Sequence, residues 1–175
     1  SDVEKVVEEL RRLVRKDEED NRRAVEETRR LVEDSSRKLE EMVRRVRDLI
    51  RKVEELVKSG KDKRELTKRL DDILERVKEA AKRLRDINER ILERDREMVK
   101  RSRDTNEEIL DRARKLRVEE RLLREIEKLI RESKKKTDDL HRESKKLIED
   151  NKKRIDDLLK EIKDRVERVK EEIRR

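Results

Sequence analysis

Apolar residues recur every three or four positions along almost the whole chain, and this spacing constrains the fold more than any other feature. From the pair Val6/Val7 to the pair Leu56/Val57 the spacing averages about 3.57 residues, between the 3.5 of a strict heptad and the 3.6 of a straight helix. Residues at this spacing lie on one face of a helix. The sequence therefore predicts long amphipathic helices with little left-handed supercoil.

The first boundary in this pattern lies at Gly60. Glycine suits the left-handed position that ends many helices. Asp62 followed by Glu65 forms a capping box, which is typical of a helix start. Ser1 and Glu4 form the same pattern at the beginning of the chain. The sequence thus predicts a helix that ends before Gly60 and a second helix that begins near Asp62.

A second boundary carries no Gly or Pro. The apolar stripe stops after Leu116 and restarts at Leu122, with Val118 out of phase between them. We place a tight turn at 117–119, in which Arg117 could adopt the left-handed conformation and Val118 could close the end of the bundle. The alternative is one continuous helix, but a turn here gives three helices of nearly equal length, at about 2–58, 62–115 and 119–175.

These boundaries predict an all-α fold, in which residues 1–175 form a single antiparallel, up-down-up three-helix bundle. Each stripe holds about three apolar positions per heptad, which suits a closed bundle. We therefore expect a monomer that requires no partner. The same stripes would also accommodate a fourth helix, so a subunit of a helical homo- or hetero-oligomer remains the alternative.

The composition agrees with long helices and excludes several classes of protein. Charged residues make up 61% of the chain and hydrophobic residues only 30%, with no Phe, Trp, Tyr, Cys or Pro. Without aromatic residues there is no stacking platform for single-stranded nucleic acid, and without cysteine there is no disulfide or thiol chemistry. No apolar run approaches the roughly 20 residues of a membrane span, and no targeting segment is recognisable. We expect a soluble chain of unknown compartment.

The formal net charge of +8 invites a nucleic-acid or membrane-surface interpretation. However, basic and acidic residues are interleaved, often as Glu followed four residues later by Arg, as in Glu8/Arg12 and Glu40/Arg44. This pattern favours solvated helix faces. We therefore expect no specific nucleic-acid or membrane partner.

Polar residues interrupt the apolar stripe of each predicted helix and form candidate polar core layers. These residues are Asn21, Thr28, Ser35, Asn88, Asp95, Ser102, Thr105, Asn106, Ser133, Thr137, His141, Ser144 and Asn151. A buried polar group costs free energy unless it is hydrogen-bonded. Each of these residues therefore needs partners at its own height along the bundle.

Folding the chain up, down and up aligns the interruptions at three levels. The levels are Asn21 with Ser102 and Ser133, Thr28 with Asp95 and His141, and Ser35 with Asn88 and Ser144; Asp17 approaches Thr105 and Asn106. A slip of one helix would leave buried groups unpaired, so such layers specify helix order and register. We expect Asp95 to pair with His141, directly or through Thr28 or Thr137. The alternative is that Asp95 leans to the edge of the bundle and is hydrated.

His141 also suggests two chemical sites, and neither is complete. Asp95, His141 and Ser144 have the residue types of a hydrolase triad, but a closed bundle offers no cleft and no oxyanion hole. Asp138 and His141 have the spacing of half a bundle metal site, which needs further converging ligands. We therefore expect no catalysis, no metal and no cofactor, and we interpret His141 as a hydrogen-bonded core residue.

Together, the capping boxes, the single Gly-containing loop, the Glu/Arg surfaces and the stacked Ser/Thr/Asn/His layers resemble de novo designed helical bundles with built-in hydrogen-bond networks. The resemblance covers the whole chain but is one of style. Natural three-helix repeats such as spectrin match less well, because the tryptophans expected of them are absent. The resemblance implies a designed structural scaffold without evolved biochemical activity, whose polar layers set helix register and pairing.

Overall fold

Three long α-helices form almost the whole protein in a computed structural model that describes residues 2–175. They are α1 (Asp2–Lys58), α2 (Lys63–Lys115) and α3 (Glu120–Arg174). This confirms the predicted all-α, three-helix fold class. Helices α2 and α3 begin one residue later than the sequence suggested. The capping box predicted at Ser1 lies outside the described residues.

The turn between α1 and α2 is closed by backbone hydrogen bonds around Gly60. Its φ angle is 75°, and its N–H donates to the carbonyl of Val57 at 3.2 Å. The N–H of Lys61 donates to the carbonyl of Leu56 at 3.3 Å, which completes a Schellman motif. Asp62 then caps α2 by accepting a hydrogen bond from the Arg64 N–H at 3.0 Å.

The turn between α2 and α3 repeats this motif with an arginine in place of glycine. Arg117 has a φ angle of 49°, and its N–H donates to the carbonyl of Arg114 at 3.1 Å. The N–H of Val118 donates to the carbonyl of Ala113 at 3.4 Å. Val118 is buried with the neighbouring apolar residues, which include Ala113 and Ile126. An apolar residue at this position is the usual companion of a Schellman motif.

The chain divides into two compact units, each built from parts of all three helices. Unit 1 comprises the chain up to Arg30 together with Ile91–Leu147, and unit 2 comprises Leu31–Arg90 and Ile148–Arg175. That residues 1–175 form a single three-helix bundle stays a prediction.

Helices α1 and α3 run parallel within each unit. Four exposed Arg–Glu pairs between these helices join residues whose numbers differ by 114. They are Arg11–Glu125 and Arg29–Glu143 in unit 1, and Arg47–Glu161 and Glu40–Arg154 in unit 2. A fifth pair, Glu54–Arg165 in unit 2, differs by 111. A nearly constant difference requires the two helices to run in the same direction.

Helix α2 runs antiparallel to both, as its ion pairs show. They include Glu9–Arg112, Glu27–Arg94 and Arg114–Glu127 in unit 1, and Arg85–Asp156 and Glu89–Lys152 in unit 2. Exposed pairs of this kind each contribute at most about 1 kcal/mol. The stability of each unit must come mainly from its buried residues.

Apolar residues fill the interior of unit 2 and one region of unit 1. In unit 2, α1, α2 and α3 contribute a continuous cluster that includes Ile50, Leu70 and Ile162, all nearly inaccessible to solvent. In unit 1 the corresponding cluster includes Leu10 and Ile126. Each fully buried Leu, Ile or Val contributes roughly 1.5–3 kcal/mol, which offsets the cost of the polar layers described next.

Candidate functional site

The sequence-predicted polar positions lie on the inner faces of the helices. Twelve of them are buried: Asn21, Thr28, Ser35, Asn88, Asp95, Ser102, Asn106, Ser133, Thr137, His141, Ser144 and Asn151. Thr105 is only half-buried. Hydrogen bonds connect some of these residues into two networks, one in each unit.

His141 is the centre of the network in unit 1. Its Nδ1 lies 2.6 Å from Asp95 Oδ1 on α2, and its Nε2 lies 2.7 Å from Asn21 Oδ1 on α1. The histidine itself belongs to α3. One side chain therefore connects all three helices of the unit through both of its ring nitrogens.

The hydrogen bonds of Asn21 assign a proton to His141. Asn21 Nδ2 donates to the backbone carbonyl of Asp17 at 2.7 Å, and a carbonyl can only accept. This fixes the orientation of the amide, so that Oδ1 accepts from His141 Nε2. His141 and Asp95 then share one further proton between Nδ1 and Oδ1.

Asp95 belongs to the interior and not to a hydrated edge. Its side chain is only 7% exposed, and its carboxylate contacts His141 directly, without Thr28 or Thr137 between them. A buried carboxylate is costly unless it is paired and hydrogen-bonded. The contact with His141 meets that requirement.

Ser102 extends the network to a half-buried carboxylate at its margin. Its Oγ accepts from Asn21 Nδ2 at 3.4 Å and donates to Asp17 Oδ2 at 2.5 Å. Burial raises the pKa of Asp17 above its ordinary value, and the hydrogen bond from Ser102 partly offsets this. The sequence placed Asp17 near Thr105 and Asn106, but the hydrogen bond of its carboxylate is to Ser102. Asp17 was not counted among the polar core layers, although it lies at a gap in the apolar stripe.

Asn151 is the centre of the network in unit 2. Its Nδ2 donates to Ser35 Oγ on α1 and to Asn88 Oδ1 on α2, both at 3.2 Å. Asn151 belongs to α3, so this amide also joins three helices. All three side chains are at most 5% exposed.

The α3 side chains that bond α2 differ from those expected when residues at equal distances along the chain from the second turn are paired. Asn88 meets Asn151 and not Ser144, and Ser102 bonds Asn21 and Asp17 and not Ser133. Within residues 2–175, the hydroxyls of Ser133 and Ser144 are buried without a hydrogen-bond partner, as is Asn88 Nδ2. The structure thus brings together a subset of the predicted layers and leaves other polar groups unpaired.

The residues do not assemble either of the chemical sites that the sequence suggested. His141 Nε2 faces Asn21, and the Ser144 hydroxyl bonds neither His141 nor any other described group. The three triad residue types therefore lack the serine–histidine contact that nucleophilic catalysis requires. Across the described chain, no three His, Asp or Glu side chains converge to hold a metal ion.

None of the helices, over the residues that the structure describes, is long and apolar enough to cross a membrane. Basic and acidic side chains alternate along their exposed faces, as the Arg–Glu pairs described above illustrate.

Comparison with solved structures supports the architecture. A structure described as a "Computationally designed three helix bundle" is similar to this chain, with 21% sequence identity and a TM-score of 0.51. The similarity covers 98% of this chain and 83% of that one. No protein-family model and no curated protein matches the sequence. At this identity the likeness shows the three-helix fold alone.

Proposed function

We propose that the protein is a designed structural scaffold without catalytic activity, in which the polar core layers set helix register and pairing. The observation that carries this proposal is His141, whose ring nitrogens bond one side chain on each of the other two helices. A shift of any helix in unit 1 would leave at least two buried polar groups unpaired. Each unpaired group costs about 1–3 kcal/mol. A shifted register would therefore have less than about one tenth of the population of the observed register.

Unit 2 also contains a buried α3 side chain that joins the three helices, here an amide in place of an imidazole. Asn151 binds Ser35 and Asn88, again one residue from each of the other helices. Apolar side chains alone pack in several registers at similar free energy, whereas a hydrogen bond requires a specific alignment. The two networks support a scaffold whose helices are specified in each unit separately.

The chain contains no cysteine, so introduced cysteine pairs can report the register. Arg29→Cys with Glu143→Cys marks a pair of side chains that contact each other in unit 1. Arg29→Cys with Lys146→Cys, or with Asp139→Cys, marks registers displaced by about one turn on the same face of α3. With a short bismaleimide, we expect the first pair to cross-link more than about tenfold faster than the displaced pairs.

The deciding variant replaces both networks with apolar residues: Asn21→Leu, Asp95→Leu and His141→Leu in unit 1, and Ser35→Ala, Asn88→Leu and Asn151→Leu in unit 2. If the networks set the register, the displaced pairs should then cross-link at rates close to that of the 29/143 pair. The matched control is Ser133→Ala with Ser144→Ala, which removes buried hydroxyls that have no partner in the described chain. A network-free variant that keeps the original preference would contradict the proposal.

A subunit of a helical oligomer is the second candidate. The observation that favours it is the exposure of two large side chains on α1, Leu31 at 37% and Leu49 at 42%. They are separated by five helical turns and therefore share a face. Light scattering distinguishes the two candidates, because a monomer has a mass of 21.6 kDa and an oligomer a multiple of it. The variant Leu31→Glu with Leu49→Glu would dissociate an oligomer that uses this face.

A further inference from the structure

The groove between α1 and α2 in unit 2 has an apolar floor. Met42 and Val46 on α1 and Val77 on α2 line it. The two valines are buried, whereas Met42 is half-buried and packs against the apolar cluster of unit 2. Leu31 and Leu49, the exposed leucines of α1, lie about three turns before and two turns after Met42, and therefore on the same face. An apolar stripe thus follows this side of α1 for about 27 Å.

Basic residues border this stripe on both helices. Arg45 on α1 and Arg76 on α2 line the groove from opposite sides, together with Lys38 and one carboxylate, that of Glu41. Each arginine belongs to a row of cations at seven-residue spacing, which keeps the row on one face of its helix. The rows are Lys38, Arg45 and Lys52 on α1, and Arg69, Arg76 and Arg83 on α2. The groove therefore carries a net positive charge.

Like charges on both sides distinguish this groove from the groove between the same helices in unit 1. There, an ion pair between Glu27 and Arg94 connects α1 with α2. Over the described part of unit 2, neither Arg45 nor Arg76 forms an ion pair with a carboxylate. Cations that line one groove repel each other, and an anion placed between them is attracted by both. The groove is thus complementary to a surface that is apolar in the middle and acidic at its edges.

We propose that this groove binds an acidic amphipathic helix of a partner protein. The apolar face of that helix covers Leu31, Met42 and Leu49, as in other helix-in-groove complexes, and its carboxylates pair with Arg45 and Arg76. A nucleic acid lacks the apolar face, and a symmetric second copy would bring cations against cations. The inference rests on the second candidate function, a subunit of a helical oligomer, and names the chemistry of its partner.

The probe is a fluorescein-labelled peptide with three repeats of Leu-Glu-Ala-Leu-Glu-Ala-Glu, which spans about 30 Å as a helix. The control peptide has lysine in place of every glutamate. Fluorescence anisotropy with the full chain should show saturable binding of the acidic peptide, at least about tenfold tighter than that of the lysine peptide. Binding should weaken as the salt concentration rises, because salt screens the attraction between exposed charges.

Charge reversal in the groove is the first test of its location. Arg45→Glu with Arg76→Glu should weaken binding of the acidic peptide more than about tenfold and strengthen binding of the lysine peptide. The matched control, Arg44→Glu with Arg168→Glu, makes the same change of net charge at exposed arginines of unit 2 that do not line the groove. The control should keep the affinity for the acidic peptide within about twofold, and far-UV circular dichroism would show that both variants are helical.

Removal of the exposed leucines tests the apolar contribution. Leu31→Ser with Leu49→Ser leaves the charge unchanged and should weaken binding of the acidic peptide more than about tenfold. The proposal is overturned if the acidic peptide does not bind, if both peptides bind equally, if the groove variant loses no more affinity than its control, or if the serine variant binds as tightly as the unaltered protein.

Light scattering without peptide separates this inference from the oligomer candidate on which it rests. A homo-oligomer that excludes the acidic peptide and is dissociated by Leu31→Glu with Leu49→Glu would support the candidate but overturn the inference, because a second copy would then occupy the groove. A monomer that binds no acidic peptide would contradict both.

Discussion

His141 Nδ1 lies 2.6 Å from Asp95 Oδ1 in a part of unit 1 where the two side chains are only 6% and 7% exposed. The same imidazole bonds Asn21 through its other nitrogen. Because water has little access to any of these groups, each depends on the others for its hydrogen bonds. Substitutions at these positions should therefore be coupled.

A double-mutant cycle tests this coupling. We expect Asp95→Asn and His141→Gln to be non-additive, with a coupling free energy of roughly 0.5–3 kcal/mol. Urea denaturation followed by far-UV circular dichroism gives the free energy of unfolding of each variant. Additive effects of the two substitutions would contradict a direct interaction.

Replacement of the whole layer provides the accompanying comparison. His141→Leu alone leaves Asp95 buried and unpaired, which is strongly destabilising. We expect the combined variant Asn21→Leu, Asp95→Leu and His141→Leu to lose less stability than His141→Leu alone, since apolar groups need no partners. If the single substitution is the milder of the two, Asp95 does not depend on His141.

The proton on Nε2 is open to direct observation. His141 is the single histidine of the chain, so the imidazole signals in a long-range ¹H–¹⁵N spectrum are unambiguous. Since Asn21 Oδ1 can only accept, we expect Nε2 to be protonated in the folded state at neutral pH. In Asn21→Leu this constraint is absent, and the ring can adopt either tautomer. An unprotonated Nε2 in the unaltered protein would contradict the assigned network.

The sequence predicted more about the helices than about which side chains meet. Periodicity and turn chemistry placed both turns, including a left-handed Arg117 without the help of glycine. The pairing of Asp95 with His141 also followed from counting across the turn. The same counting placed Ser144 opposite Asn88, where the structure has Asn151.

The difference at Asn88 has a physical cause. Side chains on a helix lean towards its N-terminus. At the second turn, α2 side chains therefore lean away from the turn and α3 side chains lean towards it. An α3 residue must lie farther along the chain than equal counting suggests in order to meet its α2 partner. Long side chains such as His141 can reach across this offset, whereas the short Ser144 cannot.

Asp17 and Glu27, two carboxylates of unit 1, should change the free energy of unfolding in opposite directions as the pH is lowered. Burial raises the folded-state pKa of Asp17 above its ordinary value of 3.8, so the folded state binds the proton more tightly. Stability should fall as pH rises from about 3.8 through the folded pKa. Asp17→Asn should therefore gain stability relative to the unaltered protein over that interval. The gain is small, because the side chain is only half-buried.

Glu27 provides the opposite case, since the hydrogen bond from Arg94 lowers its folded-state pKa below 4.5. Its contribution is present above that value and is lost as pH falls through the folded pKa. Glu27→Gln should therefore be less stable than the unaltered protein at neutral pH, and the difference between the two should shrink at low pH. Thermal denaturation of both variants across acid pH measures the two trends, and trends of the same sign would contradict these assignments.

The two turns offer a matched test of backbone strain. Arg117 and Gly60 occupy equivalent left-handed positions, with φ angles of 49° and 75°, but only glycine adopts this conformation without a steric penalty. Relief of a penalty of roughly 1–2 kcal/mol at Arg117 is partly offset by the greater entropy of glycine in the unfolded chain. We therefore expect Arg117→Gly to stabilise the protein by about 0.5–1 kcal/mol.

Gly60→Ala should destabilise the protein by about 1 kcal/mol. This cost comes from the backbone alone, because an added Cβ would meet no described atom within 4 Å. Urea denaturation measures both changes, and a destabilised Arg117→Gly variant would show that the arginine side chain contributes more than its conformation costs.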